Sequence, residues 1–326
     1  MKAPGQALLV IVVLLLAAVA AFGWALSAGS LPIDGKQVWG ALFSGDTGMA
    51  ANVVRELRLP RAVATFVCGG LLAIAGALMQ VLLRNPLADP YILGISGGAA
   101  VGALSAISLG VAAVWVDAAA FAGALTAMML VFGLAHGDGS WTQTRLLLTG
   151  VIVAAGCGAA VTLMLALAPD TRVQSMLFWL MGDASGAARP WPALGVLIVG
   201  LVLILPWARD LNVLARGEMS ARALGVSVQR LRRVLYVVAS LLTAVAVTLV
   251  GSVGFVGLIV PHLVRLALGN DQRILLPAAM LAGGVLLTVA DTLARTVMAP
   301  QQLPVGVLTA LIGVPVFLYL LSRNPR

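Results

Sequence analysis

The stretch Ala62-Val63-Ala64-Thr65-Phe66-Val67-Cys68-Gly69-Gly70-Leu71-Leu72-Ala73-Ile74-Ala75-Gly76-Ala77-Leu78-Met79-Gln80-Val81-Leu82-Leu83 contains no charged side chain. About 20 apolar residues, rising ~1.5 Å each in a helix, cross the hydrocarbon core of a bilayer. Three other stretches, Ala7 to Ala28, Leu146 to Pro169 and Val234 to Val260, are equally free of charge and at least as long. Composition points the same way. The chain is 61% hydrophobic and only 10% charged, against about 25% charged for soluble domains, so there is too little polar surface to coat a soluble protein.

Cutting the 326 residues at charges, prolines and glycine clusters gives ten spans: 6–29, 62–83, 91–109, 113–135, 145–168, 190–208, 229–251, 255–268, 274–297 and 305–322. With a cytoplasmic N-terminus, thirteen of the 20 lysines and arginines fall inside and seven outside, as the positive-inside rule requires. Nine spans would place Arg323 and Arg326 outside. The inner loops carry five acids and the outer loops seven, so the entire excess of +8 lies inside. Topology thus accounts for the basic character without a nucleic-acid partner. A cleaved leader ending near Ala25-Leu26-Ser27-Ala28 is the alternative at the N-terminus, but the apolar run from Ala7 exceeds the roughly 7–15 residues of such leaders. Cys68 and Cys157 both lie in apolar spans and read as packing residues.

Leu71-Leu72-Ala73-Ile74-Ala75 lies in a span that descends into the interrupted stretch Asn85 to Gly98. Leu241-Leu242-Thr243-Ala244-Val245 lies in one that ascends into Gly251 to Pro261. Opposite directions with matching interruptions have the form of an inverted repeat, a form that chance also produces in an Ala/Leu/Val-rich chain.

No catalytic constellation is present. His136 and His262 lack accompanying cysteines or carboxylates, so neither reads as a metal ligand. Asp117 and Asp291 sit towards span ends rather than mid-membrane, where ion-coupled carriers place ionisable groups. No Gly-rich loop ending in Lys-Ser/Thr is present to bind a nucleotide phosphate. In the long inner segment, Gly217 to Val226 reads as a short amphipathic helix ended by Gly225, able to dock a cytoplasmic partner; a solvated loop is the alternative.

Five blocks carry a resemblance. They are Asn85-Pro86-Leu87-Ala88-Asp89-Pro90 with Leu93-Gly94-Ile95-Ser96-Gly97-Gly98-Ala99; Glu218-Met219-Ser220-Ala221-Arg222-Ala223-Leu224-Gly225; Gly254-Phe255-Val256-Gly257-Leu258-Ile259-Val260-Pro261-His262; Leu303-Pro304-Val305-Gly306-Val307; and Gly313-Val314-Pro315-Val316-Phe317. Together, collinear over nearly the whole chain, they resemble the permeases of bacterial importers for iron-siderophores, haem and vitamin B12.

The resemblance implies one all-α, multi-pass permease domain over 1–326, with about ten transmembrane helices as in B12 permeases. It implies a homodimer in the bacterial inner membrane, two cytoplasmic ATPase subunits that use ATP and Mg, and a periplasmic binding protein. This chain would itself bind no cofactor. The coupling helix would lie at about 217–226, with Glu218, Ser220, Ala221, Arg222, Leu224 and Gly225 meeting the ATPase. The cytoplasmic gate would involve Asn85, Leu87, Thr142, Gln143 and Thr144, although the latter stretch is more serine-rich in a B12 permease. Arg58, Arg61 and Arg295 would receive carboxylates of the binding protein, lipid headgroup anchoring being the alternative.

Haem is the expected cargo, with ferric siderophores and cobalamin as alternatives. The pathway-lining spans offer mostly Ala, Val, Leu, Gly and Met, which suits a flat apolar ring. Arg172, at the outer end of span five, would receive a propionate; pairing with Asp170 or with lipid headgroups is its other reading. An ion-coupled secondary carrier and a structural membrane scaffold are the readings from other classes.

Overall fold

The computed structural model describes residues 4–135, 142–187 and 189–323. The readings that fall on Lys2, His136, Asp138 and Arg326 lie outside the described residues. Helices α1 (Pro4–Ser27), α2 (Gly35–Trp39), α3 (Met49–Asn52), α4 (Leu59–Leu82), α5 (Ile95–Leu109), α6 (Ala113–Ala135), α7 (Gln143–Leu167) and α8 (Asp170–Met181) form the first half. Helices α9 (Trp191–Ile204), α10 (Ala208–Ala215), α11 (Glu218–Ala223), α12 (Val228–Val250), α13 (Val256–Leu268), α14 (Gln272–Ala294) and α15 (Val305–Arg323) form the second. Seven helical stretches are long and apolar enough to cross a membrane. Three shorter apolar helices, α5, α13 and α15 (to Leu320), complete the ten, and no expected boundary moves by more than four residues.

The ends follow from local chemistry. Pro60 marks the junction at which the π-helical turn Val53–Arg58 passes into α4. The Thr142 hydroxyl caps α7 by accepting from the Arg145 N–H, and the Asp271 carboxylate caps α14 by accepting from the Arg273 N–H. Helix α5 stops at Gly110, whose φ of 70° only glycine adopts freely.

α4 is the axis of the molecule, packed against α9, α12, α13 and α14 and almost wholly buried. Two glycines set the spacing. A methyl group on Gly69 would collide with the Gly283 carbonyl of α14, and one on Gly76 with the Gly257 carbonyl of α13. In lipid, where apolar side chains gain little by leaving the solvent, such backbone proximity supplies the dispersion contact that holds helices together. α5 packs on α6 and α7, and α1 lies against α14.

At ~1.5 Å per residue, α5 and α13 reach only about 20 Å, short of the ~30 Å core. Each is preceded by irregular chain: a 3-10 turn at Pro90–Leu93 and the segment 251–255, where Phe255 adopts φ 70°. The two interruptions that the sequence aligned in opposite directions meet. The Val253 N–H donates to the Tyr91 hydroxyl at 3.0 Å, and the Ser96 and Ser252 hydroxyls lie 3.1 Å apart.

The outer cap, residues 28–58, was not resolved into elements by the sequence. It contains α2, α3 and two π-helical turns, Gly40–Ser44 and Val53–Arg58. Its Ile33, Ala41, Ala51 and Val54 form a small apolar core with Leu26 of α1.

Candidate functional site

On the inner face, Gly217 (φ 131°) and Gly225 (φ 80°) bracket α11. Both conformations are costly for residues with a Cβ. The Arg222 guanidinium donates to one Glu218 oxygen at 2.6 Å and the Arg232 guanidinium to the other at 2.7 Å, anchoring α11 to α12. Burial lifts the Glu218 carboxyl, but Arg232 and then Arg222 outweigh it and hold the group below its ordinary pKa. Ala221 is 0% exposed and packs inside the chain, which corrects its assignment to a partner contact. Ser220, Arg222, Leu224 and Gly225 remain on the exposed side. Met219, 86% exposed, and Leu224, 68% exposed, present apolar side chains to the outside. Beside them lies a cavity of ≈ 310 Å³ lined by Leu224, Gly225, Val226 and Trp207, where the Arg230 guanidinium lies 5.7 Å from the Trp207 ring centroid.

The two stretches expected at a cytoplasmic gate are brought together. The Gln143 carboxamide donates to the Leu82 carbonyl at 2.9 Å and accepts from the Arg84 guanidinium at 3.0 Å, fastening the start of α7 to the end of α4. Asn85 makes a local turn, its side-chain oxygen accepting from the Leu87 N–H at 2.9 Å. Asn85, Leu87, Thr142 and Thr144 are exposed there.

The outer arginines are placed differently from expectation. Arg58 is buried, 6% exposed, and donates to the carbonyls of Leu26, Ser27 and Leu31. Arg61 grips Asp291 through Nε and Nη2, at 2.9–3.1 Å, and donates to Gln302 at 2.7 Å. Arg295 donates to the Ala25 and Ala28 carbonyls and lies 3.8 Å from the same carboxylate. These guanidiniums tie α1, α4 and α14 together, so the expectation of free cations awaiting a partner's carboxylates is corrected. A cavity of ≈ 490 Å³ opens over them, with Glu56 and Leu57 on its exposed rim.

Arg172 is likewise engaged. Its Nη1 donates to the Ile107 carbonyl at 3.3 Å, and its guanidinium lies over Gly110, at the carbonyl end of α5. A cation there complements the helix dipole and the unpaired carbonyls, and among the described residues Arg172 forms no ion pair with Asp170.

Sequence reasoning missed the contribution of Met219 and the inward pairing of Arg232 with Glu218. A methionine between Glu218 and Ser220 in the most basic inner loop was the available signal for the first. For the second, the fourteen-residue separation places the partners on different helices, and no periodicity within one segment reveals such a pair.

Residues 10–323 match the model of the FecCD transport family. The chain is 48% identical over 277 residues to the cobalamin import system permease protein of Halobacterium salinarum, covering 83% of this chain and 74% of that protein. It is 39% identical over 284 residues to the vitamin B12 import system permease protein of Salmonella paratyphi A, covering 84% of each. A solved structure described as an inward-facing conformation of a metal-chelate type ABC transporter superposes with a TM-score of 0.84 at 28% identity, over 98% of this chain and all of that one.

Proposed function

The chain belongs to the FecCD transport family and is an ABC importer permease, and on that premise we propose that its cargo is a corrinoid of the cobalamin type. The observation that carries this reading is the collinear identity, across more than four fifths of the chain, to permeases named for cobalamin and vitamin B12. The sequence points to haem through two features, the apolar pathway-lining spans and Arg172 as receiver of a propionate. With the Arg172 guanidinium engaged at the end of α5, only the apolar lining still favours haem, and an iron chelate has in its favour the likeness to the metal-chelate type transporter at 28% identity, against 39% and 48% identity to the vitamin B12 and cobalamin permeases.

In this reading two copies of the chain form the pathway in the inner membrane, a periplasmic binding protein delivers cargo to the outer mouth, and two cytoplasmic ATPase subunits supply the energy. ATP and Mg belong to those subunits. This chain's part is mechanical. α11, locked to α12 through Glu218 and Arg232, is rigid enough to transmit displacement, and Met219 and Leu224 offer the apolar contact by which an ATPase would hold it. Gln143 and Arg84 link α4 to α7, so movement of either helix shifts the stretch Asn85 to Leu87. Glu56 and Leu57, rather than Arg58, Arg61 and Arg295, which are engaged within the chain, face a docking binding protein.

The test is uptake by the reconstituted permease with its cognate ATPase and binding protein, offered cobalamin, haem and a ferric siderophore in turn. ATP-dependent accumulation of cobalamin is expected. Accumulation of haem or siderophore without cobalamin would overturn the assignment of cargo, and accumulation driven by an ion gradient without nucleotide would overturn the importer reading itself.

A further inference from the structure

The outer cap leaves two aromatic rings uncovered. Trp39 is 62% exposed and Phe43 68%, and their rings pack on each other with centroids 4.4 Å apart. Both lie on the continuous helical stretch made by α2 and the π-helical turn Gly40–Ser44. Lys36, exposed and one turn before Trp39, shares their side, and among the described residues it makes no ion pair. The opposite side of the same stretch, Val38, Ala41 and Leu42, packs with Leu26 of α1 in the small core of the cap. Water satisfies a lone polar atom, but two large rings held in water lose free energy in proportion to their exposed area.

The position of that core decides what the rings meet. α1 has 24 residues, about 36 Å at ~1.5 Å each, so its last turn emerges at the outer edge of a ~30 Å hydrocarbon core. Leu26 lies in that turn. It follows Val12 and Val19 at seven-residue intervals, about two helical turns each, and so continues their stripe. Val12 and Val19 are 43% and 72% exposed, which along a spanning helix is exposure to lipid. Ala18, Ala21 and Ala25 are buried on another side, where the bundle packs through α14. Leu26, 4% exposed, is covered by the cap instead. The cap therefore overhangs the lipid-facing side of α1 at headgroup depth, with Lys36, Trp39 and Phe43 turned away from the helix it sits on. None of the three borders the ≈ 490 Å³ cavity over the outer arginines.

We propose that the face formed by Lys36, Trp39 and Phe43 rests on the outer leaflet of the bilayer, with the two rings at the boundary of headgroups and acyl chains and the Lys36 ammonium on lipid phosphate. Aromatic rings beside a lysine are the chemistry this boundary favours: the rings leave water without entering the core, and the cation meets the phosphates. The contact is passed inwards. The Arg55 guanidinium donates to the Ala41 carbonyl at 2.5 Å and to the Asp46 carbonyl at 3.0 Å, which ties the lipid-seated stretch to the π-helical turn Val53–Arg58. The bilayer surface thereby fixes the height of Glu56 and Leu57 on the rim of the outer cavity. The inference is independent of the cargo.

The full-length permease is placed in nanodiscs of phosphatidylcholine whose acyl chains carry bromine either near the glycerol or near the terminal methyl, and tryptophan fluorescence is read for the wild type and for Trp39→Phe. The difference between the two is the Trp39 signal, and the substitution keeps an aromatic ring at an exposed position. That signal should be quenched by bromine near the glycerol more than by bromine near the methyl end, and addition of the cognate binding protein should leave the quenching unchanged. Lys36→Glu, which sets a carboxylate against lipid phosphate, should reduce it. A Trp39 signal untouched by either lipid, or quenched most by the deeper bromine, would overturn the proposal. Quenching that the binding protein displaces would overturn it too and assign the face to that protein. Quenching indifferent to Lys36→Glu would overturn the pairing of Lys36 with phosphate.

Discussion

Replacing Asp291 by alanine removes one carboxylate from between two guanidiniums. The Asp291 side chain is 3% exposed, and those of Arg61 and Arg295 are 13% and 9% exposed, so the charges left behind are shielded from water. Removing one member of a buried pair costs about 3–5 kcal/mol, because the partner's charge stays buried without compensation. Arg61 keeps Gln302, and Arg295 keeps the Ala25 and Ala28 carbonyls, which places the expected loss near the lower end, at about 3 kcal/mol. The assay is reversible unfolding of the detergent-solubilised permease in a denaturing detergent, followed by tryptophan fluorescence. Glu56→Ala, at an exposed acid of the same face, serves as control and should cost less than about 1 kcal/mol. The double replacement Arg61→Leu with Asp291→Leu should be milder than Asp291→Ala alone, since it removes a charge together with its partner. If Asp291→Ala behaves like Glu56→Ala, or if the double variant loses the sum of its single losses, the cluster is not the clasp described here.

Two further outcomes follow from α11. Met219→Asp should weaken association with the cognate ATPase in a pull-down while leaving the melting temperature of the permease unchanged, whereas Ala221→Asp should lower the melting temperature of the permease by itself; the opposite pattern would reverse the assignment of inner and outer faces. Because the folded state holds the Glu218 carboxyl below its ordinary pKa, its stabilising effect is full above that ordinary value and is lost as pH falls through the depressed one, so Glu218→Gln should flatten the acid limb of a pH-stability curve, and an unchanged limb would exclude the pair with Arg232 as its cause.

The ten spans were legible because a bilayer demands length and apolarity, and both are written residue by residue. Thus α6 begins and ends where the charges and glycines placed it, at 113 and 135. The bounds of α11 could be read from Gly217 and Gly225 for a similar reason: a left-handed turn leaves a residue-level trace. What could not be read was direction. Arg58, Arg61 and Arg295 stand at helix ends near the outer surface, where an arginine that reaches for a visiting protein and one that reaches for a carbonyl of α1 have the same neighbours in sequence. Ala221 shows the converse: an alanine in a polar helix carries no sign of the face on which it packs.

The central position of α4 has a consequence for how the protein is made. It is the second spanning helix to leave the ribosome, yet the helices that enclose it, α9, α12, α13 and α14, all follow later in the chain. Arg61 and Asp291 are 230 residues apart, which at roughly 5–20 residues per second is about 10–50 s of synthesis. For that interval the helix destined to be the axis stands among lipids, its glycine notches open and its arginine without a counter-ion. Biogenesis must therefore tolerate an unfinished centre, and a chaperone or insertase acting on this protein would find its most exposed client surface on the very segment that ends up deepest inside.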